Sequence, residues 1–212
     1  MASPNSKATP TFFDSIIEYI YSLIRSTILS LPFFQDASPS SVVLIGLDSA
    51  GKTTLSVFLS SNSSISPPTL KPTIRPASRT FLIGSQKFVC FDLGGHAAVR
   101  EAWGDYLALA EGRSGGVVFM IDVTTLNERE RDVREELDGV LETMRDSGEG
   151  KIAVVFNKID RQDVELDEVM GKLDLEDGIE DGLQLRGFKT AAINGDGLED
   201  LFTWLGSQGE NR

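Results

Sequence analysis

The feature that most constrains the fold of this chain is the segment between Gly46 and Thr53, which reads G-L-D-S-A-G-K-T. It fits the pattern G-x-x-x-x-G-K-[ST]. An apolar run over residues 41–45 precedes it, and a helical pattern over residues 52–61 follows it. A glycine-rich turn between a strand and a helix directs backbone N–H groups toward an anion at the positive end of the helix. The segment therefore predicts a phosphate-binding loop, the P-loop.

The remainder of the chain alternates strand-like apolar runs with helical patterns. Strands are predicted at residues 79–83, 87–91, 116–121, 152–156 and 187–192, and helices at 98–110, 126–144, 164–173 and 198–205. Gly84 and Ser85 separate the first two of these strands and indicate a hairpin. The predicted fold class is α/β, with a mostly parallel six-stranded sheet flanked by helices and an antiparallel hairpin at one edge.

The N-terminal region carries apolar residues at helical spacing over residues 12–31, and Pro32 ends the pattern. Glu18 and Arg25 interrupt the apolar stretch, which argues against a secretory signal. We predict an amphipathic helix that lies in the plane of a membrane. A helix packed on its own domain and a membrane span are the alternatives. The predicted domains are residues 1–36, a polar start followed by this helix, and residues 37–212, which contain the P-loop.

Charge and cysteine content restrict the partners and the compartment. The net charge is −12, so the chain lacks the cationic excess that binds a phosphate backbone, and nucleic acid is not expected as a partner. The single cysteine, Cys90, excludes a disulfide framework. A reducing, cytoplasmic location is therefore expected. No glycine follows Met1, so the N-myristoylation signal is absent.

Four residues are candidates for binding phosphate and metal. Lys52 is expected to reach the β- and γ-phosphates, and the Thr53 hydroxyl is expected to bind Mg²⁺. Asp92 ends a predicted strand, where an acidic residue can hold Mg²⁺ through water. Thr73 lies in a loop and can add a second hydroxyl when a γ-phosphate is present. Such a conditional contact is the physical basis of a switch.

The only histidine of the chain, His96, follows Gly94 and Gly95. The two glycines allow the backbone to approach a terminal phosphate. At this place His96 is expected to orient an attacking water, because phosphoryl transfer depends mainly on positioning and charge stabilisation. The alternative is a structural or merely exposed histidine. The predicted catalytic residues are Lys52, Thr73, Gly95 and His96.

A second motif indicates the base of the nucleotide. Residues 157–160 read N-K-I-D and follow a predicted strand. The Asp160 carboxylate can accept hydrogen bonds from N1–H and the 2-amino group of guanine, and adenine lacks both donors. A backbone N–H of Ala191 or Ala192 is expected at the guanine oxygen. The predicted nucleotide-binding residues are Asp48, Ser49, Ala50, Gly51, Lys52, Thr53, Thr54, Asn157, Lys158, Asp160, Ala191 and Ala192.

With these motifs the chain resembles the Arf/Sar family of small GTPases, and within it the Sar GTPases that start assembly of the COPII coat. The resemblance rests on G-L-D-S-A-G-K-T-T from Gly46, on Pro72 and Thr73, on F-D-L-G-G-H ending at His96, and on N-K-I-D-R from Asn157. Trp103, Tyr106 and Leu107 also match. Arf proteins carry glutamine at the position of His96, whereas Sar proteins carry histidine.

The resemblance implies a Ras-like P-loop NTPase fold, GTP and GDP as ligands, and Mg²⁺ as cofactor. It further implies slow intrinsic hydrolysis of GTP, accelerated in trans by a coat subunit that supplies an arginine. The N-terminal helix would enter the endoplasmic reticulum membrane in the GTP state, and the protein would then recruit inner COPII coat proteins for transport to the Golgi. A nucleotide exchange factor and an activating protein would be further partners.

Departures from the Sar pattern keep two alternatives open. The segment 163–181 is acidic and matches poorly, and the stretch from Ile193 to Leu198 resembles Arf more than Sar. One alternative is an Arf-like switch on another membrane, such as the Golgi. The other is a membrane adaptor that binds GTP without switching, like the β-subunit of the signal-recognition-particle receptor.

Overall fold

A computed structural model of the chain describes residues 39–61, 73, 75–84, 86–110, 115–148, 150–180 and 182–207. The predictions for residues 1–38, which include the amphipathic helix over residues 12–31, lie outside this range. Most of the loop predicted between the first helix and the hairpin also lies outside it, but Thr73 is included. None of the helices in the described residues is long and apolar enough to cross a membrane.

The described residues form seven strands and six helices. The strands are β1 (Ser40–Ile45), β2 (Ala77–Ile83), β3 (Gln86–Asp92), β4 (Gly115–Asp122), β5 (Gly150–Asn157), β6 (Gly178–Glu180) and β7 (Leu183–Thr190). The helices are α1 (Lys52–Ser61), α2 (Ala97–Arg100), α3 (Trp103–Leu107), α4 (Leu126–Ser147), α5 (Leu166–Lys172) and α6 (Leu198–Gly206).

All the strands belong to one sheet, in the order β2-β3-β1-β4-β5-β7-β6. Strands β3, β1, β4, β5 and β7 run parallel, and β2 pairs antiparallel with β3. The α/β class, the mostly parallel sheet and the edge hairpin around Gly84 are thus confirmed. The predicted count of six strands is too low for the described residues, because β6 pairs antiparallel with β7 at the opposite edge. Its three residues are too short to produce an alternating pattern.

Two other predicted elements have different bounds in the structure. Residues 98–110 form the two short helices α2 and α3 instead of one helix. The turns around them use bonds from residue i to residue i−3, such as Ala102 N to Val99 O, which are typical of tighter turns. The last parallel strand begins at Leu183, not at Gly187, and a Cβ on Gly187 would lie 2.7 Å from Met170 Sδ. Gly187 therefore marks close packing of α5 on β7, not the start of a strand.

The core consists of one layer on each face of the sheet. Successive residues of β1 alternate between the layers, because strand side chains point to opposite faces: Val42 and Leu44 join one layer, and Val43 and Ile45 join the other. Helices α1 and α6 contribute to the first layer, and α3, α4 and α5 contribute to the second. Coverage of both faces explains why the central strands are almost uniformly apolar and buried.

This topology brings the predicted site residues together at the carboxyl ends of the parallel strands. Parallel strands end on the same side, and β1 lies between β3 and β4 because the chain reverses its winding direction there. The P-loop follows β1, the D-L-G-G-H peptide begins at the end of β3, and the N-K-I-D segment begins at the end of β5. Residues 46–53, 92–96 and 157–160 are therefore neighbours although they are far apart in the sequence.

An aromatic cluster joins α6 to the hairpin. The Phe202 ring centroid lies 5.3 Å from that of Phe81 and 5.4 Å from that of Phe88, both at edge-to-face angles. We expect Phe202→Ala to lower the free energy of unfolding by about 3–5 kcal/mol, because the side chain is fully buried. Leu82→Ala on β2 is the control, since Leu82 is 68% exposed and its loss should change stability by less than about 0.5 kcal/mol. Urea unfolding measures both, and equal effects would contradict the prediction.

Candidate functional site

The P-loop closes around the ammonium group of Lys52. This side chain is buried, and its Nζ donates hydrogen bonds to the carbonyl oxygens of Gly46 (2.8 Å) and Leu47 (2.7 Å). Gly46 has φ +128° and Gly51 has φ +102°, a region that disfavours residues with a Cβ. The loop thus has the tight curvature expected of a phosphate-binding segment, with its one lysine at the centre.

Burial lowers the pKa of Lys52 to about 8, although the charges of Asp92 and Asp48 oppose this shift. Desolvation disfavours the ammonium form, and nearby carboxylates favour it. A bound polyanion would favour the charged form further. Because the protein interior screens charge less than water does, the buried ammonium group of Lys52 would attract phosphate oxygens more strongly than a surface lysine would.

Three oxygen-bearing side chains from different parts of the chain meet beside Lys52. Thr53 Oγ1 and Thr73 Oγ1 lie 2.7 Å apart, which brings the loop threonine to the first turn of α1. Asp92 is 1% exposed, and its Oδ1 has no hydrogen-bond partner among the described residues. Hydroxyl and carboxylate oxygens are the ligands that Mg²⁺ prefers. A buried carboxylate oxygen without a donor, next to paired hydroxyls, fits the demands of such a cation.

The ionisation of Asp92 depends on these neighbours. Burial raises the pKa of the carboxyl group, while hydrogen bonding to Thr53 and the positive charge of Lys52 oppose this shift. Ser56 Oγ donates a long hydrogen bond of 3.5 Å to the Asp92 Oδ2 atom. Without a cation the carboxylate therefore has weak compensation for its loss of water.

The two glycines of the D-L-G-G-H peptide permit its close approach to the P-loop. A Cβ on Gly95 would lie 2.5 Å from both Lys52 Nζ and Leu47 O. A Cβ on Gly94 would lie 2.5 Å from Thr73 O. Any side chain at either position would displace one of these contacts, so the structure provides the steric reason for both glycines.

Two side chains that the sequence analysis did not assign to the site hold this peptide from the other side. Trp103 Nε1 donates to Gly94 O at 3.0 Å, and Arg100 Nε donates to Gly95 O at 2.8 Å. Arg100 also forms an ion pair with Glu136 of α4. Trp103 was noted only as a family match. No sequence pattern indicates Arg100, because its contact with Gly95 is supported by Glu136, which lies nearby only after the chain has folded.

His96 lies at the surface next to this peptide. Its Nδ1 accepts a hydrogen bond of 3.4 Å from the backbone N–H of Ala98, and so caps the N-terminus of the short helix α2. This contact is a structural role of the kind that the sequence analysis kept as its alternative. A role in orienting water stays a prediction.

Asn157 joins the P-loop to the loops at the ends of β5 and β7. Its Nδ2 donates to Ala50 O at 2.7 Å, and its Oδ1 accepts from Thr190 Oγ1 at 3.2 Å and from Ala192 N at 2.9 Å. A Cβ on Gly51 would lie 2.2 Å from Asn157 Nδ2. The asparagine of N-K-I-D is therefore a connector between loops, which accounts for its burial.

The other residues of the N-K-I-D segment are less buried than Asn157: Lys158 and Ile159 are half-buried, and Asp160 is exposed. Lys158 has φ +72°, and its Nζ forms an ion pair of 2.5 Å with Asp122 Oδ2. Asp122 Oδ1 accepts two further hydrogen bonds, from the N–H and the hydroxyl of Thr124. Asp160 is exposed, so its carboxylate is accessible to a base. Asp122 could have been identified from the sequence as a candidate residue at the site, because it ends β4 in the same way that Asp92 ends β3.

The backbone N–H groups of Ala191 and Ala192 lie in the turn that follows β7. Ala192 N donates to Asn157 Oδ1, and Ala191 N donates to Asp196 O at 3.1 Å. Both donors are used within the protein, because β7 ends at Thr190 and residues 191–196 close a turn. Contact of one of these N–H groups with a guanine oxygen stays a prediction.

The remaining predicted residues line the outer part of the P-loop. Asp48 and Ser49 are exposed, and Ser49 has φ +63°. Ala50 is buried, and Thr54 is half-buried in the first turn of α1. These residues thus lie in the turn between β1 and α1, where the sequence motif places them. The structure also places Arg129 of α4 against Asp48, a contact that sequence reasoning missed.

The fold and the site together define a class of protein. A parallel sheet with a P-loop after its first strand, an aspartate at the end of a neighbouring strand and an N-K-x-D segment is the arrangement of a small GTPase. The profile of the ADP-ribosylation factor family matches residues 27–208. The chain belongs to this Arf family, whose members are small GTPases that hydrolyse GTP.

Individual relatives are similar to the chain over most of its length. It is 33% identical over 180 residues to the small COPII coat GTPase SAR1 of Giardia intestinalis, covering 78% of this chain and 87% of that protein. The Trypanosoma brucei Arl6 BBS3 small GTPase with a bound nucleotide analogue is 26% identical, with a TM-score of 0.63 and coverage of 79% and 95%. The SRβ-GTP/SRX complex of the Chaetomium thermophilum signal recognition particle receptor gives a TM-score of 0.67 at 18% identity, with coverage of 80% and 98%, which shows likeness of fold alone.

The ion pair between Asp122 and Lys158 predicts a pH dependence of stability. Burial opposes ionisation of Asp122, but hydrogen bonds from Lys158 and Thr124 outweigh it and lower the pKa. The stabilisation is therefore complete above the unfolded-state pKa of about 3.9 and is lost as the pH falls through the folded-state pKa.

We expect the difference in urea midpoint between wild type and Asp122→Asn to be constant from about pH 5 to 7 and to shrink below about pH 4. Asp132→Asn, at an exposed position of α4, is the control and should show no such difference. A difference that grows on acidification would contradict this assignment.

Proposed function

We propose that the protein is a GTP-dependent switch in which Thr73 responds to the γ-phosphate. The observation that carries this proposal is the 2.7 Å contact between the hydroxyls of Thr53 and Thr73, beside the buried carboxylate of Asp92. Thr53 belongs to the P-loop helix, whereas Thr73 belongs to a separate loop. A ligand bound by both hydroxyls would therefore link the position of that loop to the state of the nucleotide.

The nucleotide in this proposal is GTP or GDP with Mg²⁺. Thr53, Thr73 and Asp92 would hold the metal, and the P-loop from Asp48 to Thr54 would hold the phosphates. When bound, Mg²⁺ supplies positive charge that neutralises the phosphate oxygens. Asn157 shapes the base pocket by holding the P-loop. Lys158 and the exposed Asp160 carboxylate would contact guanine.

Hydrolysis in this proposal depends on positioning. Lys52 would stabilise charge on the terminal phosphates, and the Gly95 backbone would approach them, since no Cβ intervenes. His96 would orient the attacking water once its ring leaves the capping contact with Ala98. Because the imidazole is exposed, a partner surface is needed to hold it in place, which agrees with slow hydrolysis by the protein alone.

We further propose that the switch acts in COPII coat assembly on the cytoplasmic face of the endoplasmic reticulum. The similarity to a relative named as a small COPII coat GTPase supports this role, as does histidine at position 96. In this proposal residues 12–31 of the N-terminal domain, residues 1–36, bind the membrane in the GTP state, while residues 37–212 form the GTPase domain. Inner coat proteins, an exchange factor and an activating protein would be its partners.

One observation favours a second candidate function, an Arf-like switch on another membrane. The chain is 26% identical to the Arl6 small GTPase over most of both chains. A non-switching adaptor has weaker support, because the similarity to the signal recognition particle receptor is one of fold alone. The contact between Thr53 and Thr73 also argues against an adaptor without a switch.

Single-turnover hydrolysis of GTP tests the switch and the role of His96. We expect slow hydrolysis by the wild type and stimulation by the inner coat subunit that activates Sar GTPases. His96→Ala should lower the stimulated rate roughly 10- to 100-fold, because the water loses its orienting group. Thr73→Ala should weaken binding of a GTP analogue more than binding of GDP. His96→Gln, which supplies the Arf residue, is the matched variant.

Each outcome of this experiment bears on a different part of the proposal. Stimulation by an Arf-directed activating protein instead of the coat subunit would refute the COPII role and support the second candidate. An unchanged rate for His96→Ala would refute the role of that side chain. Equal loss of GDP and GTP-analogue binding in Thr73→Ala would refute the switch.

Flotation with liposomes tests the membrane segment. We expect the full chain to float with liposomes when loaded with a GTP analogue and to stay in solution when loaded with GDP. Ile20→Asp, on the apolar face predicted from the sequence of residues 12–31, should reduce flotation about 10-fold or more, since burial of one isoleucine contributes about 1.5–3 kcal/mol. Ser22→Asp, on the polar face, is the control. Equal flotation in both nucleotide states would contradict a switchable anchor.

A further inference from the structure

The P-loop of this chain contains one acidic residue, Asp48, at the third of its eight positions. A loop that binds phosphates through backbone N–H groups is a site for anions, so a carboxylate there repels the ligand. Asp48 is close enough to the site for its charge to act on Lys52, the residue at the centre of the loop. The repulsion must therefore be compensated if the loop is to bind a polyphosphate tightly.

Arg129 of α4 provides this compensation. Its Nη2 lies 2.7 Å from Asp48 Oδ1, and its Nη1 donates to the backbone carbonyl of the same residue at 3.3 Å. One guanidinium thus contacts both the charge and the backbone of Asp48, a geometry that lysine cannot reproduce. The hydrogen bond and charge of Arg129 also lower the pKa of Asp48, which keeps the carboxylate ionised and paired.

The contact also fixes the backbone where the loop is most strained. Ser49 follows Asp48 directly and has φ +63°, which is unfavourable for a residue with a Cβ. Because Arg129 holds the carbonyl oxygen of Asp48, it restricts the peptide unit that joins Asp48 to Ser49. The outer part of the loop, where both residues are exposed, is therefore anchored to the first turn of α4.

We propose that Arg129 is a positioning residue for the phosphates, which acts by neutralising Asp48 and by holding the Asp48–Ser49 peptide unit. This inference rests on the nucleotide binding proposed above and adds a residue from outside the known motifs. It predicts that loss of Arg129 harms binding mainly because the Asp48 carboxylate remains unpaired. A triphosphate should suffer more than a diphosphate, since it carries more negative charge.

The test is a double-mutant cycle read out as dissociation of fluorescent GDP and of a fluorescent GTP analogue from the full chain. We expect Arg129→Ala to accelerate release of the GTP analogue about 10-fold and release of GDP about 3-fold. Asp48→Asn in the same chain should return both rates to within about 3-fold of wild type. Arg129→Lys should be intermediate, because it keeps the charge but not the paired contacts.

Two controls separate compensation from general damage. Arg131→Ala removes the same charge from an exposed position two residues further along α4 and should leave both rates unchanged. At 1 M salt, where the screening length is about 3 Å, the excess effect of Arg129→Ala on the GTP analogue should largely vanish. Thermal melting of each GDP-loaded variant verifies that the fold is intact.

Two results would overturn the inference, because in either case Arg129 would act independently of Asp48. In the first, the effects of Arg129→Ala and Asp48→Asn on the release rates simply add. In the second, 1 M salt does not reduce the effect of Arg129→Ala on release of the GTP analogue. Rates for Arg129→Ala equal to those for Arg131→Ala would overturn it as well. Failure of the wild type to bind guanine nucleotides would instead refute the proposed function. The two failures are therefore distinguishable.

Discussion

The hydrogen bonds of Asn157 are the interaction on which the rest of the site depends. One amide side chain binds the P-loop at Ala50 through its Nδ2, and binds Thr190 and Ala192 after β7 through its Oδ1. It thereby fixes the distance between the P-loop and the loops that follow β5 and β7. Gly51 must lack a side chain because Asn157 occupies that space. Two motifs separated by about a hundred residues are therefore one structural unit.

The fold could be predicted from the sequence because its signals are local. Apolar runs of five or six residues between turn residues define the parallel strands, and their alternation with helical patterns defines the class. The prediction was wrong where long-range packing decides the bounds. The sequence pattern predicts the start of a strand at Gly187, but Gly187 lies inside β7, where Met170 packs against it. Strand β6 depends wholly on its pairing with β7 and has no pattern of its own.

The candidate site also contains residues that local motifs identify and residues that only long-range packing identifies. Lys52, Thr53, Asp92 and Asn157 could be assigned from motifs, because each motif places its residue at the end of a strand or the start of a helix. The side chains that hold those motifs in position could not be assigned. Arg129 contacts a residue 81 positions earlier, and Arg100 pairs with one 36 positions later. Such contacts can be assigned only when the sheet order is known, because α4 packs on one face of the sheet beside β4 and reaches both loops from there.

Helix α4 therefore connects the P-loop to the D-L-G-G-H peptide, two parts of the site that are far apart in the sequence. Arg129 in its first turn holds the P-loop, and Glu136, two turns further along the same face, holds Arg100 and through it the Gly95 carbonyl. A rigid helix keeps these two anchors at a constant spacing of about 10 Å along its axis. Movement of the D-L-G-G-H peptide relative to α4 must then break either the hydrogen bond between Arg100 and Gly95 or the ion pair between Arg100 and Glu136. Because six buried apolar side chains hold α4 in the core, we expect the contacts of Arg100, not the position of α4, to change if this peptide moves.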